Sequence, residues 1–193
     1  MVRKFIVFGI MLSLSSLIIL GCQSKSSSKK YVIGFSQCNS AEPWREAMNK
    51  KMAAEAANHP EIELVISDAQ QDNSRQVADV ENFIVKEVDL LIISPNEAQP
   101  LTAIVETAYD KGIPVIVLDR KILSAKYTTF IGADNVQIGE AAGQYAARLL
   151  NGKGKVVEIW GLKGSTPAIE RHNGFMKGIA GFPGIEIIYD QDG

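Results

Sequence analysis

From Tyr31 onward the chain alternates short apolar runs with segments whose apolar residues recur at helical spacing, and that alternation leaves few folds open. YVIGFS (31–36) reads as a strand. Pro43 to Asn58 reads as a helix, with apolar or small residues at Trp44, Ala47, Met48 and Met52, and His59-Pro60 ends it. IELVIS (62–67) is a second strand, after which Val77, Val80, Ile84 and Val88 fall on one helical face with Phe83 beside them. DLLIIS (89–94) is nearly all apolar, the pattern of a parallel strand buried on both faces. Pro100 opens the next helix, Leu101, Ile104, Val105 and Ala108 line it, and Gly112 stops it. PVIVLD (114–119) is a fourth strand and TTFIG (128–132) a short fifth.

Repeated βα units of this length predict an α/β fold, a doubly wound parallel sheet with right-handed crossovers. A second set begins near Asn135: a helix to Leu150, a turn at NGKGK, a strand at VVEIW, a helix from Pro167 to Ala180 and a strand at IEIIY. The 193 residues, 46% hydrophobic, suffice for one ordinary domain or two small lobes. The expected division is a first lobe over 31–134 and a second, truncated lobe over 135–193, because two strands and two helices cannot cover both faces of a sheet.

Residues 1–22 have the order of an export signal: Arg3 and Lys4, an apolar run from Phe5 to Leu20 interrupted by serines, then Gly21-Cys22. A transmembrane anchor is the alternative, for which this run is at the short end. Leu20-Gly21-Cys22 resembles a bacterial lipoprotein signal, which implies a lipid on Cys22 and a domain outside the cytoplasmic membrane. Residues 23–30 are Ser/Lys-rich and read as a flexible tether. Cys38 is then a lone thiol, read as a small buried residue at a strand end rather than a reactive one. The net charge of −2 and the absence of Lys/Arg blocks on the folded part argue against a nucleic-acid partner.

In open α/β sheets ligands bind beyond the carboxyl ends of the strands. The residues that follow each strand are polar: Gln37, Asn39, Glu42, Trp44 and Arg45 after the first, Asn96 and Glu97 after the third, Asp119 and Arg120 after the fourth, Asp134 and Asn135 after the fifth. GLKGST, Glu170 and Arg171 follow the first strand of the second set. Carboxylates and amides that fix hydroxyls, guanidinium donors and an aromatic ring face suit a sugar. Trp44 stacks on such a ligand or packs as core; Arg45 clamps it or pairs with Glu42 on the surface; Asp134 and Asn135 bind or cap the helix that follows. His59 and His172 stand alone in the sequence, and no Cys/His/Asp cluster has metal-ligand spacing. GLKGST is not a phosphate-binding loop, no G-x-G-x-x-G follows the first strand, and no nucleophile–base pair emerges, so neither a cofactor nor an enzyme is expected.

IGFSQ, WR, DAQQD, ISP, GIPVIVLDRK, GADN and AIERHNGF, in that order, resemble the periplasmic sugar-binding proteins of the ribose and galactofuranose type, from Lys30 to about Gly193. The resemblance implies two α/β lobes joined by a hinge that closes on one monosaccharide. It implies ligand contacts at Trp44, Arg45, Asp119, Arg120 and Arg171, with Gln37 and Asn96 as further candidates and Asp134 at the first hinge crossing. It also implies later βα units that this sequence lacks, and hence weak or no sugar binding by the 193-residue piece. The implied partner is a membrane ABC importer. The run from Gly132 to Met176 is also similar to sensor domains of hybrid two-component systems, which implies a periplasmic sugar sensor of a histidine kinase as the alternative. A sugar-responsive repressor needs an N-terminal helix-turn-helix where the export signal stands.

Overall fold

The computed structural model of the chain describes residues 30–192. The expected export signal, the lipidation site Cys22 and all of the tether but Lys30 lie outside the described residues.

Five parallel strands form the first sheet: β1 (Tyr31–Gln37), β2 (Ile62–Asp68), β3 (Leu90–Ser94), β4 (Val115–Leu118) and β5 (Thr129–Ile131), in the order β2-β1-β3-β4-β5. Helices α1 (Pro43–Ala56), α2 (Asn73–Val85) and α3 (Ala98–Asp110) connect them. The winding direction reverses at β1, so right-handed crossovers carry α1 over one face and α2 and α3 over the other. The reversal opens a crevice between the carboxyl ends of β1 and β3, where Gln37 pairs in register with Ser94. The core is the one the apolar runs call for: Val80, Phe83, Leu91, Ile93, Leu101, Val105, Val115 and Val117 are buried together. Gly34 carries no Cβ where one would stand 2.7 Å from the Phe83 ring, so the glycine lets α2 seat its aromatic on β1.

The chain crosses once, between Ile131 and Asn135, into a second set: α4 (Asn135–Leu149), β6 (Lys153–Trp160), α5 (Thr166–Ile179) and β7 (Gly184–Asp192). β6 and β7 pair in parallel as a separate two-stranded sheet. One face, with Val156, Ile185 and Ile187, packs on Ala147, Leu150, Phe175 and Ile179. The other leaves Val157 54% and Ile159 76% exposed. α4 and α5 touch backbone to backbone through Gly139 and Gly143 on one helix and Gly174 and Gly178 on the other. A Cβ on Gly139 would collide with the Arg171 carbonyl, and one on Gly174 with that of Val136. Among the described residues no helix is long and apolar enough to cross a membrane.

Several boundaries differ from the sequence reading, three of them for a clear local reason. Val88 is buried but lies beyond α2, which ends at Val85. There Glu87 takes φ +50, Glu87 N–H bonds to Ile84 C=O at 3.0 Å and Val88 N–H to Phe83 C=O at 3.2 Å, a Schellman stop without glycine. α3 starts at Ala98, two residues before Pro100, because a proline in the first turn lacks only an N–H that has no helical partner. β6 begins at Lys153, since Asn151 and Gly152, both at positive φ, already complete the turn.

Candidate functional site

Arg45 organises the first wall. Pro43 occupies the first position of α1, where its fixed φ suits a helix start, and this places Trp44 and Arg45 in the first turn beneath the β1 and β3 ends. Trp44 is 56% exposed and Arg45 2%. The Arg45 guanidinium donates through Nη1 to Gln37 Oε1 at 2.9 Å and Ser94 Oγ at 3.0 Å, and through Nη2 to Asp119 Oδ2 at 3.2 Å. Its Nε lies 3.4 Å from Glu42 Oε2 without a hydrogen bond. A buried cation is tolerable only with such acceptors, and each hydrogen bond to a charged group contributes roughly 1.5–3 kcal/mol. Residues from β1, β3 and the β4 end therefore converge on one side chain.

Asp119 follows β4 at φ +65, with Arg120 N–H bonded to Leu118 C=O at 2.7 Å in a tight three-residue turn. That backbone is costly for a residue with a Cβ, and it aims the carboxylate back at Arg45. Arg120 donates to the Asn96 carbonyl at 2.8 Å. Burial, with Arg45 adding to it, lowers the Arg120 pKa from the ordinary value, while Cys38, Asp119 and Glu42 oppose the shift. The Cys38 thiol is fully buried and pushed up by that burial, against the pull of Arg120 and Arg45. It is therefore held neutral.

The second wall comes from β6 and α5. Arg171 donates from Nε to Asn135 Oδ1 at 2.9 Å. Trp160, the last residue of β6, stacks on His172 with ring centroids 4.2 Å apart and a 26° interplanar angle. His172 Nδ1 lies 2.8 Å from Glu158 Oε2. Between the walls is a cleft of about 700 Å³. Its ionisable lining, apart from His172, is three carboxylates, Glu42, Asp119 and Glu158, against three guanidinium groups, Arg45, Arg120 and Arg171. Balanced charges, fixed donors and acceptors and flat apolar rings suit an uncharged molecule rich in hydroxyls. Among the described residues no group of three His, Cys, Asp or Glu stands ready for a metal ion.

Three contacts join the two sheets at one edge of this cleft. Ala98 N–H, an N-terminal donor of α3 that its Glu97 cap leaves unpaired, bonds to Gly164 C=O at 3.1 Å. Lys121 N–H bonds to Thr166 Oγ1 at 2.7 Å, and Lys121 Nζ pairs with Glu170 Oε1 at 2.7 Å. A Cβ on Gly164 would strike the Glu97 side chain.

The structure brings Trp44, Arg45, Asp119, Arg120 and Arg171 to the cleft. It places Gln37, Asn96 and Asp134 elsewhere. Gln37 is fully buried, with its amide engaged by Arg45 and Asn49, so it orients Arg45 from behind. Asn96 is 2% exposed and binds Gln71 C=O and Asn73 Oδ1. Asp134 caps α4, accepting from Gln137 N–H at 3.0 Å and Gln137 Nε2 at 2.9 Å. Asn135, read as a possible cap, is instead buried against Arg171. Trp44 is not core, and Arg45 is not a surface ion pair. Missed in the sequence were Trp160, whose signal was its place at a strand's carboxyl end, and His172, whose partner Glu158 lies 14 residues away in sequence. Gln76 was missed too: fully buried, it accepts from Asn96 N–H and donates to Ser94 C=O.

Residues 33–193 match the family model for a periplasmic binding protein domain. The ribose import binding protein of Bacillus subtilis is 33% identical over 176 residues, 86% of this chain and 57% of the relative. The galactofuranose-binding protein of Escherichia coli is 36% identical over 165 residues, 83% and 52% respectively. Among solved structures, the fructose-binding periplasmic domain of a hybrid two-component system superposes with a TM-score of 0.80 at 53% identity, covering 84% of this chain and 54% of that one. A galactofuranose-binding protein superposes at 0.77 and 36% identity, covering 84% and 56%. The chain thus spans little more than half the length of these relatives.

Proposed function

Since the chain belongs to the periplasmic binding protein domain family, we propose that it forms the larger part of an extracytoplasmic cleft that holds one neutral monosaccharide. The observation that carries this reading is the Arg45–Asp119 pair facing Arg171 across a charge-balanced cleft. Trp44 stacks on the sugar ring face, Arg45, Arg120 and Arg171 donate to hydroxyls, and Asp119 Oδ1, which has no hydrogen-bond partner among the described residues, accepts from one. The protein binds and does not transform its ligand. The 53% identity to a fructose-binding domain makes D-fructose the first candidate, ahead of D-ribose and galactofuranose. Calorimetric titration of the whole gene product with these three sugars tests the reading. Binding of at least one near micromolar strength supports it, and heat-free titrations with all three overturn it.

The bound sugar is delivered to an ABC importer, as the import binding proteins among the relatives favour. A second reading, a periplasmic sugar sensor, has its own support: the 53% identical structure is the periplasmic domain of a hybrid two-component system. In that case closure signals rather than delivers. Sequencing the transcript beyond the Gly193 codon separates them, because a sensor requires a membrane span and cytoplasmic signalling domains in frame. Two finer features belong to the proposal, and the first favours the importer component. Residues 1–22 act as a lipoprotein-type signal with Cys22 lipidated, and the lobes divide at 134/135. Palmitate labelling lost in Cys22→Ser checks the first.

A further inference from the structure

We propose that His172 is a specificity-determining residue of the cleft, whose Nε2 accepts a hydrogen bond from a ligand hydroxyl in a tautomer set by Glu158. The inference rests on the sugar reading and adds a recognition group to its second wall. An ionised carboxylate only accepts hydrogen bonds, so the 2.8 Å contact between His172 Nδ1 and Glu158 Oε2 puts the proton on Nδ1. In the neutral ring Nε2 is then an acceptor, and it has no hydrogen-bond partner among the described residues. The Trp160 stack, at 4.2 Å, holds the imidazole plane from the side. The His172 side chain remains 28% accessible and Glu158 18%, on the wall opposite Trp44 and Arg45.

Chemistry explains why such a group is useful. The three arginines of the cleft can only donate. A sugar hydroxyl is both donor and acceptor; the carboxylate acceptors Glu42 and Asp119 stand on the first wall, and Arg171 on the second wall does not by itself fix the direction in which its hydroxyl points. An acceptor fixed on the second wall demands a hydroxyl proton at that place. A site built to hydrogen-bond one hydroxyl discriminates strongly against analogues lacking it, because its own polar atom is then left unpaired. Glu158 acts as a positioning residue: it selects the tautomer of the imidazole.

The test uses the whole gene product labelled with ¹⁵N-histidine. Long-range ¹H–¹⁵N correlation spectra are expected to show His172 protonated at Nδ1, with the Nε2 resonance shifting on saturation with D-fructose. In Glu158→Gln the tautomer preference should relax. His172→Ala should weaken fructose binding by about ten-fold or more at unchanged melting temperature, roughly the loss of one hydrogen bond to a fixed acceptor. His172→Gln, which restores an acceptor, should recover part of that loss. An Nε2–H tautomer, or His172→Ala binding within about two-fold of wild type, overturns this inference while the sugar reading stands. If His172→Ala does not fold, the Glu158→Gln spectrum decides: an unchanged tautomer overturns the inference. A wild-type protein that binds none of the three sugars overturns both.

Discussion

Arg45 and Asp119 stand 74 positions apart in the sequence and meet at 3.2 Å, one nearly buried and the other with a 28% exposed carboxylate. The pair joins the β1–α1 junction to the end of β4 across the crevice. Its exposed side is the carboxylate, so the buried cation presents an anion to the cleft.

Replacing Asp119 with Ala removes both the proposed ligand acceptor and a partner of a buried guanidinium. Sugar affinity should fall by about 1–3 kcal/mol or more, the cost of stranding a polar group. The melting temperature should also drop modestly, since Gln37 and Ser94 still hold Arg45. Calorimetry and thermal melts on the same variant check both, and unchanged affinity refutes the role given to Asp119.

Trp44→Ala separates binding from folding. The ring is 56% exposed and contributes little to the core, so stability should change by no more than about 0.5 kcal/mol. Sugar affinity should fall measurably. A large loss of stability with intact binding would assign Trp44 to packing.

The α4–α5 contact is sensitive to a single methyl group. Gly139→Ala or Gly174→Ala forces a Cβ into the facing backbone carbonyl, and neither helix can yield by a side-chain rotation. Overpacking of this kind costs about 1–3 kcal/mol. Amide exchange in residues 135–179 should accelerate while the first sheet stays protected. Uniform protection in both sets would contradict the separate packing of the second.

Cys38 gives a pH prediction with a definite sign. Burial raises the thiol pKa in the folded state, despite Arg120 and Arg45. The resulting stabilisation is complete below the unfolded thiol value, roughly 8.5, and is lost as pH rises through the higher folded value. Wild type should therefore lose melting temperature more steeply than Cys38→Ala above about pH 8.5. Parallel slopes would show that the thiol is not held neutral. Cys38 should also resist thiol labelling at pH 8 in the native protein until it is unfolded.

Lys121 and Glu170 probe the junction of the two sheets. The pair is partly exposed, 36% and 21%, so Lys121→Ala should cost no more than about 1 kcal/mol of stability. The same change should loosen the approach of the Gly164 loop to Ala98, seen as a larger radius of gyration by small-angle scattering. An unchanged radius would mean that the Ala98–Gly164 backbone bond and the bond from Lys121 N–H to Thr166 Oγ1 suffice.

The sequence by itself determined the strands, the helices and the edge where polar residues collect, because period and burial are local properties written in runs such as DLLIIS and PVIVLD. It also marked Gly112 and the turn that begins at Asn151 as helix ends, but not Glu87, which takes the same left-handed role without being glycine. Which polar residues face the cleft was decided only in three dimensions. Gln37, Asn96 and Asp134 carry the same chemistry as the cleft residues, and they are drawn away by nearby partners: Arg45 and Asn49, Gln71 and Asn73, and Gln137. His172 moves the other way, from an isolated histidine to a member of the cleft, because α5 crosses β6 at Glu158 and Trp160. Backbone periodicity acts over a few residues, whereas a hydrogen-bond partner can come from any part of the chain, and only the packed sheet selects which one is within reach.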